Sequence, residues 1–356
     1  MRPSKSAARP GVLVITNENP DWPDDDKAWN GRMLGHMSEA LERLGYRHEV
    51  HRVYSDLKLL ERYDPREWVI WNWVEELGGR PWTDAVAARA FERRGFSYTG
   101  ATSRALAASV DRMQIKQQLL RAGLPTLPGM RLSHPRQATR WKTYPAIVKG
   151  ATQHGSFGID HASVVHSAEE LSERTVWLRE HLNSDAQVEK FLDTREFHIG
   201  VLSGANGKLD GLPPGEIDYA AFEHAEDRVY SYGYKHDETN FGYHAVKVRV
   251  PTEIPVRLSR RLKALACAAL EALDARDYGR IDVRLDGDEP MILDVNVNCD
   301  LDATSVLMRA AGACGLTYAD VVGRIVQGAV QRQTDALTRR LRTARDRQTE
   351  AVVAIA

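Results

Sequence analysis

Cysteine is scarce in this chain: three residues in 356, at Cys267, Cys299 and Cys314. The number is odd and no CxxC pair occurs, so neither a disulfide framework nor a cysteine zinc site organises the fold, and a reducing compartment fits. Long apolar runs are missing too. The first, residues 12–15, follows a basic, polar start and is only four residues long. That makes neither a signal peptide nor a membrane span, and the expectation is a cytoplasmic protein without membrane contact. No sign of charge dominates: 48 Lys and Arg stand against 49 Asp and Glu. Such a balance argues against a general polyanion binder, so no nucleic-acid partner is expected, although a local basic groove stays open. Two phosphate-binding signatures, GxxxxGK[ST] and GxGxxG, are absent. No internal repeat and no low-complexity tract occurs.

What is present is the composition of a soluble globular protein, 43% hydrophobic and 27% charged. At roughly 150 residues per domain, two or three domains are expected. Residues 1–10 read as a disordered tail. Residues 12–15 read as a buried strand, and 16–27 (TNENPDWPDDDK) as an acidic, Pro-broken loop. Met33, Leu34, Met37, Ala40, Leu41 and Leu44 recur at helical spacing up to Gly45. With a second strand over 49–53 this suggests a βαβ start. A further strand is expected over 67–73 and a helix over 81–94. One helix is expected over 103–123, and strands over 144–149, 163–166, 187–191, 196–202 and 245–250. Residues 203–244 are polar and rich in Gly and Pro, the character of a long loop or lid. A helix over 255–273 precedes two strands, 280–285 and 291–298, joined by a turn at 286–290. A last helix starts near Tyr318, and its extension, 331–356, is Arg-rich.

The late hairpin is the sharpest constellation. Alternate residues of a strand share a face. Arg280, Asp282 and Arg284 therefore lie opposite Ile281, Val283 and Leu285, and Asp294, Asn296 and Asn298 opposite Leu293, Val295 and Val297. Pairing the strands brings Asp282, Asp294 and Asn296 together. Clustered carboxylates repel unless a cation or a proton joins them. Oxygen donors without His or Cys favour Mg²⁺, which completes its shell with water and phosphate. Arg280 beside them suits an oxyanion. A surface hairpin with a solvated polar face would show the same alternation.

Other residues suit an anion. Lys149 ends the strand YPAIVK, and GATQHGSFGID follows it. Gly155 and Gly158 let the chain turn so that backbone N–H groups and Ser156 face a phosphate, although plain turns use the same residues. Lys116 lies on the preceding helix. Glu189, Lys190, Phe191 and Leu192 close one strand and Glu196 opens the next.

In order along the chain stand Lys116, YPAIVK (144–149), HGSFG (154–158), VEKFL (188–192), REF (195–197), GRIDVRL (279–285) and ILDVNVN (292–298). This ordered set resembles the ATP-grasp superfamily, and within it the D-alanine–D-alanine ligase-like branch, from about residue 98 to 330. The resemblance implies an α/β and α+β architecture. Residues 11–103 would form an N-terminal βαβ-type domain, 104–187 a small central lobe, and 188–330 a larger C-terminal lobe with its lid at 203–244. It implies ATP between the lobes and two Mg²⁺ ions as cofactors. Lys116 and Lys149 would meet phosphates or the adenine side, and Ser156, Phe157 and Gly158 would cover the phosphates. Glu189 to Leu192 would form the adenine hinge, and Glu196 would bind ribose. Asp282, Asp294 and Asn296 would carry the metal, while Arg280, Lys235 and Ser156 would serve catalysis. The implied reaction joins a small-molecule acid to an amine through an acyl phosphate, in a homodimer.

The chain departs from this pattern at the substrate positions. Residues 16–27 replace the usual glycine pair and Ser-x-Glu stretch, leaving one of their carboxylates, Glu18 and Asp21 among them, to meet the first substrate's ammonium. Gly155 stands for the loop serine and His236 for the lid tyrosine. The usual Asn-x-x-Pro-Gly turn reads Asn296-Val297-Asn298-Cys299-Asp300, and Ser305 matches a carboxylate-binding serine. Asp300 and Asp302 place negative charge where an α-carboxylate would sit. An amino-acid-like acid and an amine that lacks that carboxylate or brings an extra cation are therefore expected, in specialised metabolism; an Asp300 turned to solvent, as is common for Asp in turns, would remove that constraint. The alternatives are a D-Ala–D-Ala or D-Ala–D-lactate ligase and a nucleotide-binding regulator without turnover. Cys299 reads as a small buried thiol rather than a nucleophile.

Overall fold

A computed structural model of the chain describes residues 9–204 and 206–353, with side chains as far as residue 343. The tail expected over 1–10 thus lies mostly outside the described residues, as do 354–356. The chain divides into two compact units. The first begins with strand β1 (Gly11–Asn17), helix α1 (Asp24–Arg43), and strands β2 (His48–Val53) and β3 (Trp68–Trp73), and continues with α2 (Asp84–Arg94). β1 is parallel to both neighbours, in the order β2-β1-β3, and is buried along its whole length. This is the βαβ start read from the pattern. α1 begins earlier than expected: Asp24, Asp25 and Asp26 occupy its first turn, where carboxylates suit the positive end of the helix dipole. Its buried stripe runs through Met33, Leu34, Met37, Ala40 and Leu41.

The second unit holds α3 (Ser103–Ser109) from its second residue on, then α4 (Arg112–Arg121). The single helix expected over 103–123 is therefore two. Asp111 sits between them in extended conformation and its carboxylate accepts from the backbone N–H groups of Met113 and Gln114, starting a new helix. Strands β4 (Gly129–Leu132), β5 (Ala146–Gly150), β6 (Val164–Val165) and β7 (Ala186–Lys190), with α5 (Ala168–Leu182), make a four-stranded sheet in the order β4-β7-β5-β6. Its core gathers Leu132, Val148, Val165, Leu171, Leu178 and Val188.

The larger sheet takes the order β11-β10-β8-β12-β13, with β9 paired to β8. Its strands are β8 (Glu196–Ser203), β9 (Leu209–Gly211), β10 (Gly215–Asp218), β11 (Lys247–Arg249), β12 (Tyr278–Asp286) and β13 (Glu289–Asn296). The stretch 203–244 is thus not a loop throughout. It supplies β9 and β10 and the short helices α6 (Tyr232–His236) and α7 (Phe241–Ala245). Tyr219, Phe222, Ile217 and Val246 give it a small core of its own. Helix α8 (Val256–Ala272) buries Leu262, Leu265, Ala266, Ala269 and Leu270, a helical stripe that packs on β9, β12 and β13. α9 (Val306–Ala313) closes the unit, and α10 (Tyr318–Val353) returns to the first, packing against α1 and β3. Gln333 on α10 donates to the carbonyls of Pro65 and Trp68 at 2.8 and 3.0 Å. Among the described residues no helix is long and apolar enough to cross a membrane.

Candidate functional site

Register places the polar residues. β8, β12 and β13 are antiparallel neighbours, with Asp282 opposite His198 on one side and Asp294 on the other. Arg284 pairs with Glu196 and Arg280 with Asn296 in the same ladders. Side chains opposite one another share a face, so Glu196, His198, Arg280, Asp282, Arg284, Asp294 and Asn296 line one cleft. The other face carries Ile281, Val283 and Val295, all buried. The cleft wall continues through Arg112, Lys149, Ser156, Glu189, Lys190, Phe191, Leu192, Tyr230 and Lys235, and the empty space is about 770 Å³, open solvent at its mouth included. Its lining carries six cationic side chains against four carboxylates. That leaves a net positive field for a polyanion.

Each carboxylate has a cation of its own. Glu189, 1% exposed, is held by Lys116 at 2.6 Å and Lys149 at 2.7 Å. Burial pushes its carboxyl up, but the two ammonium groups more than offset this and bring it to about 2. Glu196 accepts from Arg284 at 3.0 and 2.8 Å and from Tyr219 at 3.0 Å, and lies 2.9 Å from His198 Nε2. Burial opposes its ionisation and the Arg284 charge overcomes that, so it stays well below the usual carboxylate range. Arg280 grips Asp282 with two bonds, 2.7 and 3.0 Å. Arg112 reaches Asp294 at 2.5 Å. Asp294 too is held far below its ordinary value, because Arg112 outweighs burial.

The glycine loop and the lid segment meet. Ser156 Oγ donates to the Tyr230 carbonyl at 2.8 Å and accepts from Lys235 Nζ at 2.7 Å. Phe157, half exposed, stacks on Tyr232 with centroids 4.6 Å apart. Burial and the nearby Arg280 charge lower the Lys235 ammonium to about 8.

Of the residues singled out in the sequence, the structure brings to the cleft Lys149, Ser156, Glu189, Lys190, Phe191, Leu192, Glu196, Lys235, Arg280, Asp282, Asp294 and Asn296. Lys116 stands behind Glu189, also donating to Thr126 and to the Leu127 carbonyl at 3.0 Å. Gly158 does not face the cleft: its φ is +66° and a Cβ there would strike Leu182 at 2.4 Å, so its glycine serves the turn. His236 is exposed and packs against Tyr232. Asp300 is exposed and accepts from the Asp302 N–H at 2.7 Å, while Ser305 caps α9. Glu18 belongs to the first unit, 3.7 Å from Arg52. Cys299 is buried, and burial pushes its thiol up to about 12, the state of an inert core cysteine.

Sequence reasoning missed Arg112 and His198 and left Arg284 without a role. His198 and Arg284 each stand two residues from a chosen acid, which alternation could have flagged. Arg112 left no comparable signal.

The donor set suits a magnesium ion. Asp282, Asp294 and Asn296 offer only hard oxygens, and the Asn296 side-chain amide has a buried nitrogen without a hydrogen-bond partner. Among the described residues no three His, Cys, Asp or Glu side chains gather as a metal site. An ion here therefore depends on water or ligand oxygens for the rest of its shell.

Residues 126–327 match the family model of the D-ala D-ala ligase C-terminus. The chain is 29% identical over 254 residues to the D-alanine–D-alanine ligase of Mycobacterium ulcerans, covering 70% of this chain and 66% of that one. It is 25% identical over 334 residues to the uncharacterized protein y4sG of Sinorhizobium fredii, covering 90% and 94%. Two solved structures of the Bacillus anthracis D-alanine–D-alanine ligase, one complexed with ATP, share the fold. Their TM-scores are 0.68 for the complex and 0.70 for the other, each at 18% identity, with 91% and 92% of this chain and 99% of each ligase covered. The expected ATP-grasp architecture of the D-Ala–D-Ala ligase-like branch is thereby borne out.

Two outcomes follow from the paired charges. Glu189→Gln leaves two buried ammonium groups without their counter-ion, and urea denaturation at pH 7 should show a loss of about 3–5 kcal/mol. Because the folded-state value of Glu189 is about 2 against an ordinary 4.5, its contribution is complete above 4.5. The difference between variant and wild type should shrink as pH falls towards 2. The second outcome concerns Lys235, which is cationic below about 8. Calorimetric affinity of the cleft for inorganic triphosphate should fall as pH rises through 8, and Lys235→Arg should flatten that dependence.

Proposed function

Since the chain belongs to the D-ala D-ala ligase C-terminus family, an enzyme family of ATP-grasp ligases, we propose that it is an ATP-dependent, ADP-forming carboxylate–amine ligase joining an amino-acid-like acid to an amine. The observation that carries this reading is the cleft floor, where Asp282 and Asp294 face each other beside Arg280 under a net positive lining. A free carboxylate is a poor acyl donor, because its leaving group would be oxide. Passing the terminal phosphoryl group of ATP to that carboxylate gives an acyl phosphate with a good leaving group, and an amine displaces it to form the amide.

The protein's part in such a transfer is positioning and charge neutralisation. Lys149 and Lys235 hold phosphate oxygens, with Ser156 fixing the Lys235 ammonium. The segment Glu189 to Leu192 receives the adenine, and Glu196 orients the ribose. Arg280 stabilises negative charge that develops on the acyl group. Asp282, Asp294 and Asn296 would hold magnesium, which supplies further neutralisation of the phosphates when bound. The segment 230–236, tied to the glycine loop through Ser156, keeps water from the reacting acyl group.

The substrate side differs from a D-Ala–D-Ala ligase. Gly155, His236 and residues 16–27 remove the loop serine, lid tyrosine and glutamate that would enclose D-alanine. Asp300 and Asp302 put negative charge beyond the cleft lining, and a solvated charge there would disfavour an acceptor with an α-carboxylate only modestly. We place the product in specialised metabolism and the protein in the cytoplasm, as a homodimer.

Incubating the protein with ATP, Mg²⁺ and mixed acid and amine pools should yield, by mass spectrometry, one condensed product with ADP and phosphate. Asp282→Asn should lower that yield at least a hundredfold. Rapid ADP formation on D-alanine alone would instead mark a D-Ala–D-Ala ligase. Nucleotide binding without turnover on any pool would mark a regulator. Asp300→Gly should shift acceptor preference towards amines bearing an α-carboxylate, and an unchanged preference would contradict the charge argument.

A further inference from the structure

His198 lines the cleft yet is only 2% exposed. It stands on β8 two residues after Glu196 and directly opposite Asp282 on β12. Its Nε2 lies 2.9 Å from Glu196 Oε1 and 3.6 Å from Asp282 Oδ1. The Tyr230 ring covers it, with centroids 5.8 Å apart. Its other nitrogen, Nδ1, is buried and has no hydrogen-bond partner. Buried polar atoms are nearly always paired, so an orphan in the wall of a cleft calls for a partner that arrives with a ligand.

The neighbours fix which kind of partner fits. Glu196 Oε2 is taken up by Arg284 and Tyr219, leaving Oε1 for His198. Asp282 is held at both oxygens by Arg280. Each carboxylate thus has its guanidinium, and the imidazole needs to supply one N–H, from Nε2 to Glu196. Nδ1 is then a lone-pair acceptor. Its ligand must bring a donor. The phosphates of a magnesium-bound nucleotide only accept hydrogen bonds. The donors at hand are the sugar hydroxyls, the amine of the base and water on the ion, and such water would sit with Asp282, which lies on the Nε2 side of the ring. The amine belongs with the segment from Glu189 to Leu192, and the sugar belongs beside Glu196, next to His198.

We propose that His198 is a specificity-determining residue for the nucleotide: its Nδ1 accepts a hydrogen bond from a ribose hydroxyl, so that the cleft distinguishes ribonucleotides from deoxyribonucleotides. This rests on the ATP reading above and adds the residue that reads the sugar. Glu196 keeps acceptor capacity at Oε1, which has His198 as its one side-chain partner, and Nδ1 adds a second acceptor beside it. His198 completes the acceptor set.

Isothermal titration calorimetry with ADP, 2′-deoxy-ADP and 3′-deoxy-ADP, all with magnesium, tests it without turnover. The wild type should bind one of the two deoxy forms roughly tenfold more weakly than ADP, the value of one hydrogen bond. His198→Phe should bring that ratio to within about twofold. His198→Gln, which keeps an N–H for Glu196 and offers a carbonyl acceptor, should retain part of the discrimination, which a purely structural role would not predict. In the wild type the Nδ1 resonance of His198 in ¹⁵N spectra should move on adding ADP and move less with the discriminated deoxy form. That last measurement needs no variant. Equal binding of all three nucleotides by the wild type, or an unchanged ratio in His198→Phe, overturns the role of His198 and leaves the ATP reading standing. Failure of the wild type to bind any of the three overturns both.

Discussion

Removing a carboxylate from water is costly unless a cation accompanies it. The second unit of this chain is organised around that constraint. Glu189 is held by Lys116 and Lys149, Glu196 by Arg284, Asp282 by Arg280 and Asp294 by Arg112. Every pair is largely shielded, and the cleft lining still has more cations than carboxylates. Such a surplus would attract a polyphosphate, and the pairs hold the lining in place before it arrives. Charge that is preorganised in this way acts without having to reorient as the reaction proceeds.

The same pairs connect parts of the chain far apart in sequence. Arg112 opens α4, donates its backbone N–H to the Ala151 carbonyl and its side-chain Nε to the Gln153 carbonyl, and reaches Asp294 on β13. Lys116, one turn further along α4, supports Glu189 on β7. One short helix therefore braces a carboxylate on β13 and a carboxylate on β7 together. Asp282 and Asp294 are ion-paired in the free protein, so a divalent cation at this place must share or exchange those partners.

Much of this was legible because strand alternation is local. GRIDVRL and ILDVNVN each show an apolar and a polar face, and a turn with Gly287 in left-handed conformation at +62° joins them, so pairing the strands puts Asp282 opposite Asp294. The rest depends on non-local register. That His198 faces Asp282, and that Arg284 faces Glu196, follows from how β8 lies against β12, which are separated by some seventy-five residues of intervening chain. Lys116 looks like any helix lysine until the fold supplies Glu189. The break before α4 turned on Asp111, whose capping role competed with a helical pattern running on both sides. The strands within 203–244 are short, three and four residues, and their pairing rather than their composition makes them strands. Substrate positions are the least legible: His236, Asp300 and Ser305 were found by matching a pattern, and in the structure they stand outside the cleft lining.

The central claim is that the paired strands β12 and β13 hold a divalent cation together with a nucleotide. Electron paramagnetic resonance of Mn²⁺ with the wild-type protein tests it most directly. The account requires little tightly bound Mn²⁺ without nucleotide, strong binding once ADP is added, and loss of that binding in the double variant Asp282→Asn, Asp294→Asn. Undiminished ADP-dependent Mn²⁺ binding in the double variant, or none in the wild type, would contradict it.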